Sequence, residues 1–480
     1  LGCRIPAYAS AWVTVKSHTT NGALKLGLDN RVHAMNRRFL EVVLKVSVVC
    51  LLGAEALGAV AASRLGQELT LVGAERAGNV AGTIPAWTGG LKEPPAGWRP
   101  EMGYIDPFPE DSPLFTITRE NWSNYRDQLM PGLVALLQKA DGFQMPVYRA
   151  RRTAAYPAAV MSEAEKQAGR AEIDGSSVVL PVYNPVPFPV PTSGLEAIWN
   201  HLLRYVGGGV ERTTLAFPVR ASGDYYRIGF HSRRIYESNM DKKTDNRLFV
   251  AMGAYTEPPT LLGTMFLVHE PLNQLKERRN AWVYNAGLRR VRRAPDLGYD
   301  GITDGSEGMF TADQIDGYNG SPDRYEWVLH GKRELYIPYN CYRIGQKLQR
   351  DEDIIHRGSV NSRLMRYELH RVWVVEAKLK SGQSHVYGRR VFYLDEDSWS
   401  VVAEESYSTR GDLWRVALHG LIQYYDAPLP WYRLSIFHDL TAGSYFVGGL
   451  DHGVQTPIRF NIRGQVTDFQ ADALRRAGSR

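Results

Sequence analysis

Three cysteines in 480 residues, Cys3, Cys50 and Cys341, are too few to staple this fold. Two of them fall in a stretch read below as removable, so Cys341 stands alone and a disulfide within the remaining chain is excluded. Long apolar runs are missing after residue 61, and with them any candidate for a membrane-spanning helix, which needs about 20 such residues. A charge excess is nearly absent as well: the sequence as a whole carries +6, but residues 1–61 supply most of it, and the rest gives no reason to expect nucleic acid as a partner. The sequence also lacks H-E-x-x-H, G-x-S-x-G, a Walker loop, C-x-x-C, and a G-x-G-x-x-G opening a helix. No catalytic residue, no cofactor and no metal site is therefore expected, and the chain is read as a non-enzyme.

What is present leans towards β structure. Gly 45 and Pro 26 imply many turns, and 44% hydrophobic residues allow a sizeable core. The sequence opens on Leu1. Met35-Asn36-Arg37-Arg38, the apolar run from Val46 to Leu52 and then Ala59-Val60-Ala61 read as the charged, apolar and small-residue parts of an export signal. On this reading residues 1–34 are an upstream extension, 35–61 a signal peptide cleaved after Ala61, and the mature protein is exported and soluble. Val49 before Cys50 argues against lipidation.

Residues 62–209 read as a Pro-rich strap plus helices packed on a body. The strap, to about Asp111, holds Pro85, Pro94, Pro95, Pro100, Pro107 and Pro109. Trp122, Tyr125, Leu129, Leu133, Leu136 and Leu137 then form a helical stripe that Pro131 should kink or split. Further helices are predicted from Ser162 to Ala171 and from Ser193 to Val206, with a proline-rich extended link between them. From 210 to 480 the period is two, predicting about ten antiparallel strands and a helix from Asp468 to Arg476. Tyr367–Leu379 should have one buried and one largely wet face, and Asp395-Glu396-Asp397 should form the short turn of a hairpin.

Several groups of residues are candidates for function. Trp282, Tyr284, Trp327, Trp373, Phe392 and Trp399, with Val375 beside Trp373, sit on separate predicted strands of one sheet, where they either fill a core or line an apolar cavity. Arg289, Arg290, Arg292 and Arg293 need anionic partners, either the acidic stretch from Asp296 to Asp323 or a ligand head-group at a lip. That acidic stretch reads as a surface loop, with calcium as the sharper alternative. His370 beside Glu368 could be an acid/base pair or a solvent-side salt bridge.

Longer phrases carry a resemblance. Leu71 to Asn79, Thr83 to Gly90, Arg152 to Pro157, Glu196 to Leu202, Ala281 to Pro295, Asp323 to Trp327, Arg366 to Ala377 and Arg410 to Arg415 together resemble the bacterial family called domain of unknown function 1329. The resemblance implies an α+β fold in the periplasm of Gram-negative bacteria: a large curved antiparallel sheet, an unclosed β-barrel similar to periplasmic lipoprotein carriers, with helices over the open side. It supplies no catalytic residues. The expected function is a non-catalytic binder or carrier of a lipid, acyl chain or other hydrophobic small molecule. The alternative is an envelope protein that docks on a membrane transporter or outer-membrane partner.

Overall fold

The period-two pattern is realised as one very large sheet. The computed structural model describes residues 63–180, 182–294 and 300–478. The upstream extension, the signal segment, Pro181 and residues 295–299, including Asp296, lie outside them. The first strands are β1 (Phe115–Ile117), β2 (Met145–Val147) and the separate small pair β3 (Glu172–Asp174) and β4 (Ser177–Val179). After Gly209 come β5 (Gly209–Val219), β6 (Ile228–Tyr236), β7 (Arg247–Glu257), β8 (Met265–Pro271), β9 (Asn280–Asn285) and β10 (Arg290–Arg293). They continue with β11 (Tyr325–Pro338), β12 (Tyr367–Leu379), β13 (Arg389–Asp395), β14 (Val401–Tyr407), β15 (Leu413–Tyr424), β16 (Leu429–Asp439), β17 (Tyr445–Leu450) and β18 (Arg459–Phe460). The count after Gly209 is thus fourteen among the described residues, above the ten predicted: the additional strands are the short β10 and β17 and the longer β6 and β15.

The main order is β1-β2-β12-β13-β14-β15-β16-β17-β5-β6-β7-β8-β9-β10, with β11 added on β12 and β18 on β5; every pair is antiparallel except the short parallel contact of β2 with β12, and the two ends are unpaired with each other. The result is an open half-barrel with few helices. Pro131 splits the first helical stripe as expected, into a 3-10 turn (Trp122–Gln128) and α1 (Pro131–Lys139). α2 spans Ala158–Gln167, four residues earlier than the periodicity placed it. α3 (Gly194–Leu203) begins where Ser193 accepts a hydrogen bond from the Glu196 amide. A one-turn α4 (Asp351–Ile354) and the C-terminal α5 (Ala471–Gly478) complete the set. No described helix is long and apolar enough to cross a membrane.

Both faces of the sheet are covered where β12 and β13 lie. On one, here termed the inner face, Val375, Ala377, Phe392 and Leu394 pack with Ala197 and Ile198 of α3 and with Val72 and Ala74 of the strap. On the other, Val372, Val374, Val391 and Tyr393 pack with Leu133, Leu136 and Leu137 of α1. The expectation of a wet face for Tyr367–Leu379 therefore fails: the first ten residues of β12, apart from a half-buried Trp373, are buried. Alternation of polar and apolar residues does not by itself expose the polar face: Glu368 and His370 are polar and buried. Close approach of α3 depends on Gly194, since a Cβ there would stand 2.9 Å from the Val328 backbone of β11.

Candidate functional site

A cross-strand row runs along the inner face: Val375, Phe392, Glu404, Ala417, Phe437 and Phe446, each opposite the next on neighbouring strands from β12 to β17. Beyond its Val375 and Phe392 end, which α3 and the strap cover, the element on this row is neither an α-helix nor a strand. It is the irregular segment 300–324, which contains most of the predicted acidic loop. Phe310 stacks on Phe437 at 4.6 Å and tilts against Phe446 at 5.0 Å. Tyr318 meets Phe392 edge-on at 5.3 Å.

Charge fastens the same segment. Asp313 receives Arg390 of β13 at 2.7 Å and lies 3.3 Å from His385. Asp316 receives Arg204 and Arg234, each at 2.9 Å, and the Trp431 indole N–H at 2.6 Å. Burial alone would raise both carboxyls, but the adjacent guanidiniums outweigh it and hold each well below the usual carboxylate range. The prediction of a surface loop is thus corrected for its centre: Asp313 is buried, whereas Asp304 and Glu307 are exposed. Spacing along the chain could not show that Arg204, Arg234 and Arg390, distant in sequence, point inward to meet it.

The predicted ligand-lining residues are not gathered in one place. Trp327, Trp373, Val375, Phe392 and Trp399 share one cluster under α3 and the strap, with Trp373 stacked on Trp399 at 5.9 Å. Trp282 and Tyr284 belong to a second cluster at the far end of the sheet, beneath α5. Arg289, Arg290, Arg292 and Arg293 are all exposed on the β9–β10 hairpin. The expected pairing with the acidic stretch is not made among the described residues, because its central aspartates are held by other arginines. Arg292 stands opposite Val283, which stands opposite Phe266, so an apolar row on the inner face ends in a guanidinium at the sheet edge.

A second constellation surrounds the β13–β14 connection. Asp395, Glu396 and Asp397, read as the residues of a simple hairpin turn, are all buried. Arg152 from the strap side grips Asp397 with both nitrogens, at 2.9 and 2.6 Å. Glu396 takes Lys332 at 2.9 Å and Arg371 at 3.2 Å. Asp395 accepts from Ser398 Oγ at 2.6 Å and, more weakly, from the Tyr339 hydroxyl at 3.4 Å. Burial and the neighbouring Asp397 push the Asp395 carboxyl up to about 7, against the pull of His370. The Glu368/His370 pair is real, with Nε2 3.1 Å from Oε2, but it lies inside the protein and is no solvent-side salt bridge. His370, Asp395 and Asp397 are the one set among the described residues whose ligand atoms could converge on an ion. The acid run itself was the available signal; its burial was not.

The family model described as "Protein of unknown function (DUF1329)" matches residues 116–475. An uncharacterized protein of Pseudomonas aeruginosa is 42% identical over 445 residues, 91% of this chain and 98% of that protein. A domain described as an outer membrane lipoprotein-sorting protein domain from Vibrio parahaemolyticus aligns with a TM-score of 0.42 at 18% identity, covering 59% of this chain and 98% of its own. A DUF1329 family protein from Desulfovibrio piger aligns at 0.39 and 14% identity, over 56% of this chain and 92% of its own.

Proposed function

The chain belongs to the DUF1329 family, and within that family we propose that it is a periplasmic, non-catalytic binder or carrier of a hydrophobic molecule such as a lipid or acyl chain. One observation carries the reading: the inner-face row from Phe392 to Phe446, apolar but for the buried Glu404, is covered by an irregular segment rather than by an α-helix or a strand. Packed helices and strands leave a sheet only with broad unfolding, whereas an irregular segment can detach as a unit. Segment 300–324 then acts as an occupant that a ligand replaces. The row Phe266, Val283 and Arg292 extends the same face to the sheet edge, where a carboxylate or phosphate head-group would meet Arg290 and Arg292. Trp327, Trp373, Phe392 and Trp399 would line the opposite end.

A fluorescent fatty acid and its methyl ester test this. Binding of the acid at micromolar concentration, weakened by Trp373→Ala and by Arg290→Ala, with the ester insensitive to Arg290→Ala, is the expected pattern. Failure of the unaltered protein to bind either probe would remove the carrier reading. A second reading, docking at the envelope, draws on the β9–β10 hairpin, whose Leu288 is 71% exposed next to four arginines that have no carboxylate partner among the described residues. Sedimentation with anionic but not neutral vesicles, lost on Arg289→Glu/Arg290→Glu, would favour it.

A further inference from the structure

Four carboxylates are buried around the β13–β14 connection: Glu368, Asp395, Glu396 and Asp397. Three of them have cations at ion-pair distance. Glu368 has Arg366 at 2.5 Å, Glu396 has Lys332 and Arg371 at 2.9 and 3.2 Å, and Asp397 has Arg152 at 2.6 Å. Asp395 has none among the described residues, although it is 0% exposed. Its Oδ2 takes the hydrogen bonds from Ser398 and Tyr339, and its Oδ1 is buried without a hydrogen-bond partner among the described residues. An unpartnered oxygen of a buried carboxyl is costly, and native interiors rarely keep one without a reason.

The geometry around that oxygen points to a cation. We propose that His370, Asp395 and Asp397 form a binding site for one divalent first-row metal ion of the Zn²⁺ or Mn²⁺ class. One ligand-type atom from each of the three lies within 4.8 Å of the others. Three ligand atoms on one ion stand about 3.4–3.6 Å from one another at bond lengths near 2.1 Å, so a contraction of up to about 1.4 Å, within reach of side-chain torsions, closes the set. One imidazole with two carboxylates is a donor set intermediate in softness, which suits these ions better than Ca²⁺.

The residues behind the three are arranged as a metal site requires. His370 Nε2 lies 3.1 Å from Glu368 Oε2, which leaves Nδ1 as the nitrogen available to an ion. Glu368 is itself held by Arg366, by the Asn340 side-chain amide at 2.9 Å and by the Arg151 backbone N–H at 2.6 Å. A carboxylate on the far nitrogen fixes tautomer and ring orientation and raises ligand basicity. Tyr339 stacks on the imidazole at 4.0 Å, limiting its rotation. Arg152 holds Asp397 through both oxygens and leaves a lone pair on each free. Three protein ligands leave further positions open for water or an exogenous group.

The test uses the whole exported protein, stripped with chelator and titrated separately with Zn²⁺ and Mn²⁺ by calorimetry, with bound metal counted by elemental analysis. One equivalent binding below micromolar Kd, weakened at least about 100-fold in Asp395→Asn and in His370→Ala, is expected when first ligands are removed. Melting temperature should rise with metal in the unaltered protein and not in the variants. A Cu²⁺-loaded sample of the unaltered protein, read by electron paramagnetic resonance, should show a single nitrogen ligand, which keeps the test valid even if a variant fails to fold. No stoichiometric binding by the unaltered protein, an all-oxygen Cu²⁺ spectrum, or undiminished binding by folded Asp395→Asn would each overturn the proposal.

Discussion

Asp316→Asn removes one charge and leaves two stranded. In the native protein the Asp316 carboxylate receives Arg204 Nη2 and Arg234 Nη1 at 2.9 Å each, while the Trp431 indole donates to it at 2.6 Å. Asparagine offers one acceptor oxygen in place of two anionic ones and turns an amide donor towards a guanidinium. Removing one partner of a buried ion pair costs about 3–5 kcal/mol because the survivor is left uncompensated. Two survivors would exceed that range, but both arginines keep other contacts. Arg204 also donates to the carbonyls of His201 and Asp316, and Arg234 lies 4.9 Å over the Trp431 ring. Such contacts offset part of the loss, at about 1 kcal/mol or less per ring contact. The expected destabilisation at pH 7 is therefore about 4 kcal/mol, measured by urea unfolding followed through tryptophan fluorescence. Asp316→Asn/Arg234→Met should recover about 1.5 kcal/mol or more, since one stranded charge is gone. Limited proteolysis should cut near the exposed Asp304 and Glu307 sooner in Asp316→Asn than in the unaltered protein. A loss under about 1 kcal/mol, with the double variant merely additive, would place this cluster with weak surface pairs and refute the reasoning.

Three other outcomes follow from the same structure. Acid should destabilise in two steps: burial holds His419 down to about 3 and His438 down to about 4, so stability falls as pH drops below the unfolded histidine value near 6.5, offset in part by Asp395, whose raised carboxyl takes up its proton near pH 7 in the folded state, and falls again below about 4, where Asp313 and Asp316 must be protonated; a urea midpoint that rises from pH 7 to pH 4 would contradict this. The Cys341 thiol, buried and pushed up to about 12 by that burial, should resist a thiol-labelling reagent in the folded protein and react fully only in denaturant. Single changes of Arg289, Arg290, Arg292 or Arg293 to Ala should shift the unfolding free energy by no more than about 0.5 kcal/mol, because exposed side chains without a carboxylate partner among the described residues contribute little to the folded state.

Local rules made some of this molecule readable and its three-dimensional pairing made the rest unreadable. Ser193 as a helix cap, Pro131 as a break and the long alternation of β12 are decided by neighbours in sequence, and each stands where the residues placed it. Burial of polar residues is decided elsewhere. Asp397 is inside because Arg152, 245 residues away in sequence, meets it, and Asp313 is inside because Arg390, 77 residues away, does. An acidic stretch with glycines looks the same on paper whether it faces water or inward guanidiniums. The aromatic set was split for a similar reason: period two assigns each ring to a face, but strand order decides which rings meet. β9 pairs with β8 and β10, whereas β12 and β13 sit many strands away, so Trp282 and Trp373 never share a cluster.

Whether segment 300–324 can yield to a ligand comes down to a comparison of energies. An acyl chain of about sixteen carbons gains about 12 kcal/mol by leaving water, at about 0.8 kcal/mol per CH₂. Against this stands the cost of lifting the segment, which re-exposes Phe310 and Tyr318 and separates Asp313 and Asp316 from their arginines. Re-exposing two large side chains costs about 3–6 kcal/mol. Separating buried ion pairs costs less when both partners gain water than when one is deleted, because desolvation is recovered on each side. An ionic fastening is thus easier to release by exchange than an apolar one of equal strength, and a ligand whose own anionic head replaces Asp316 between Arg204 and Arg234 would leave no guanidinium stranded, since Arg390 keeps Glu404. An acyl chain with a carboxylate or phosphate meets both demands, whereas a neutral hydrocarbon meets only the first. The segment would therefore select amphiphiles over oils, and the fatty acid should outcompete its methyl ester even at the inner face, away from the arginine hairpin.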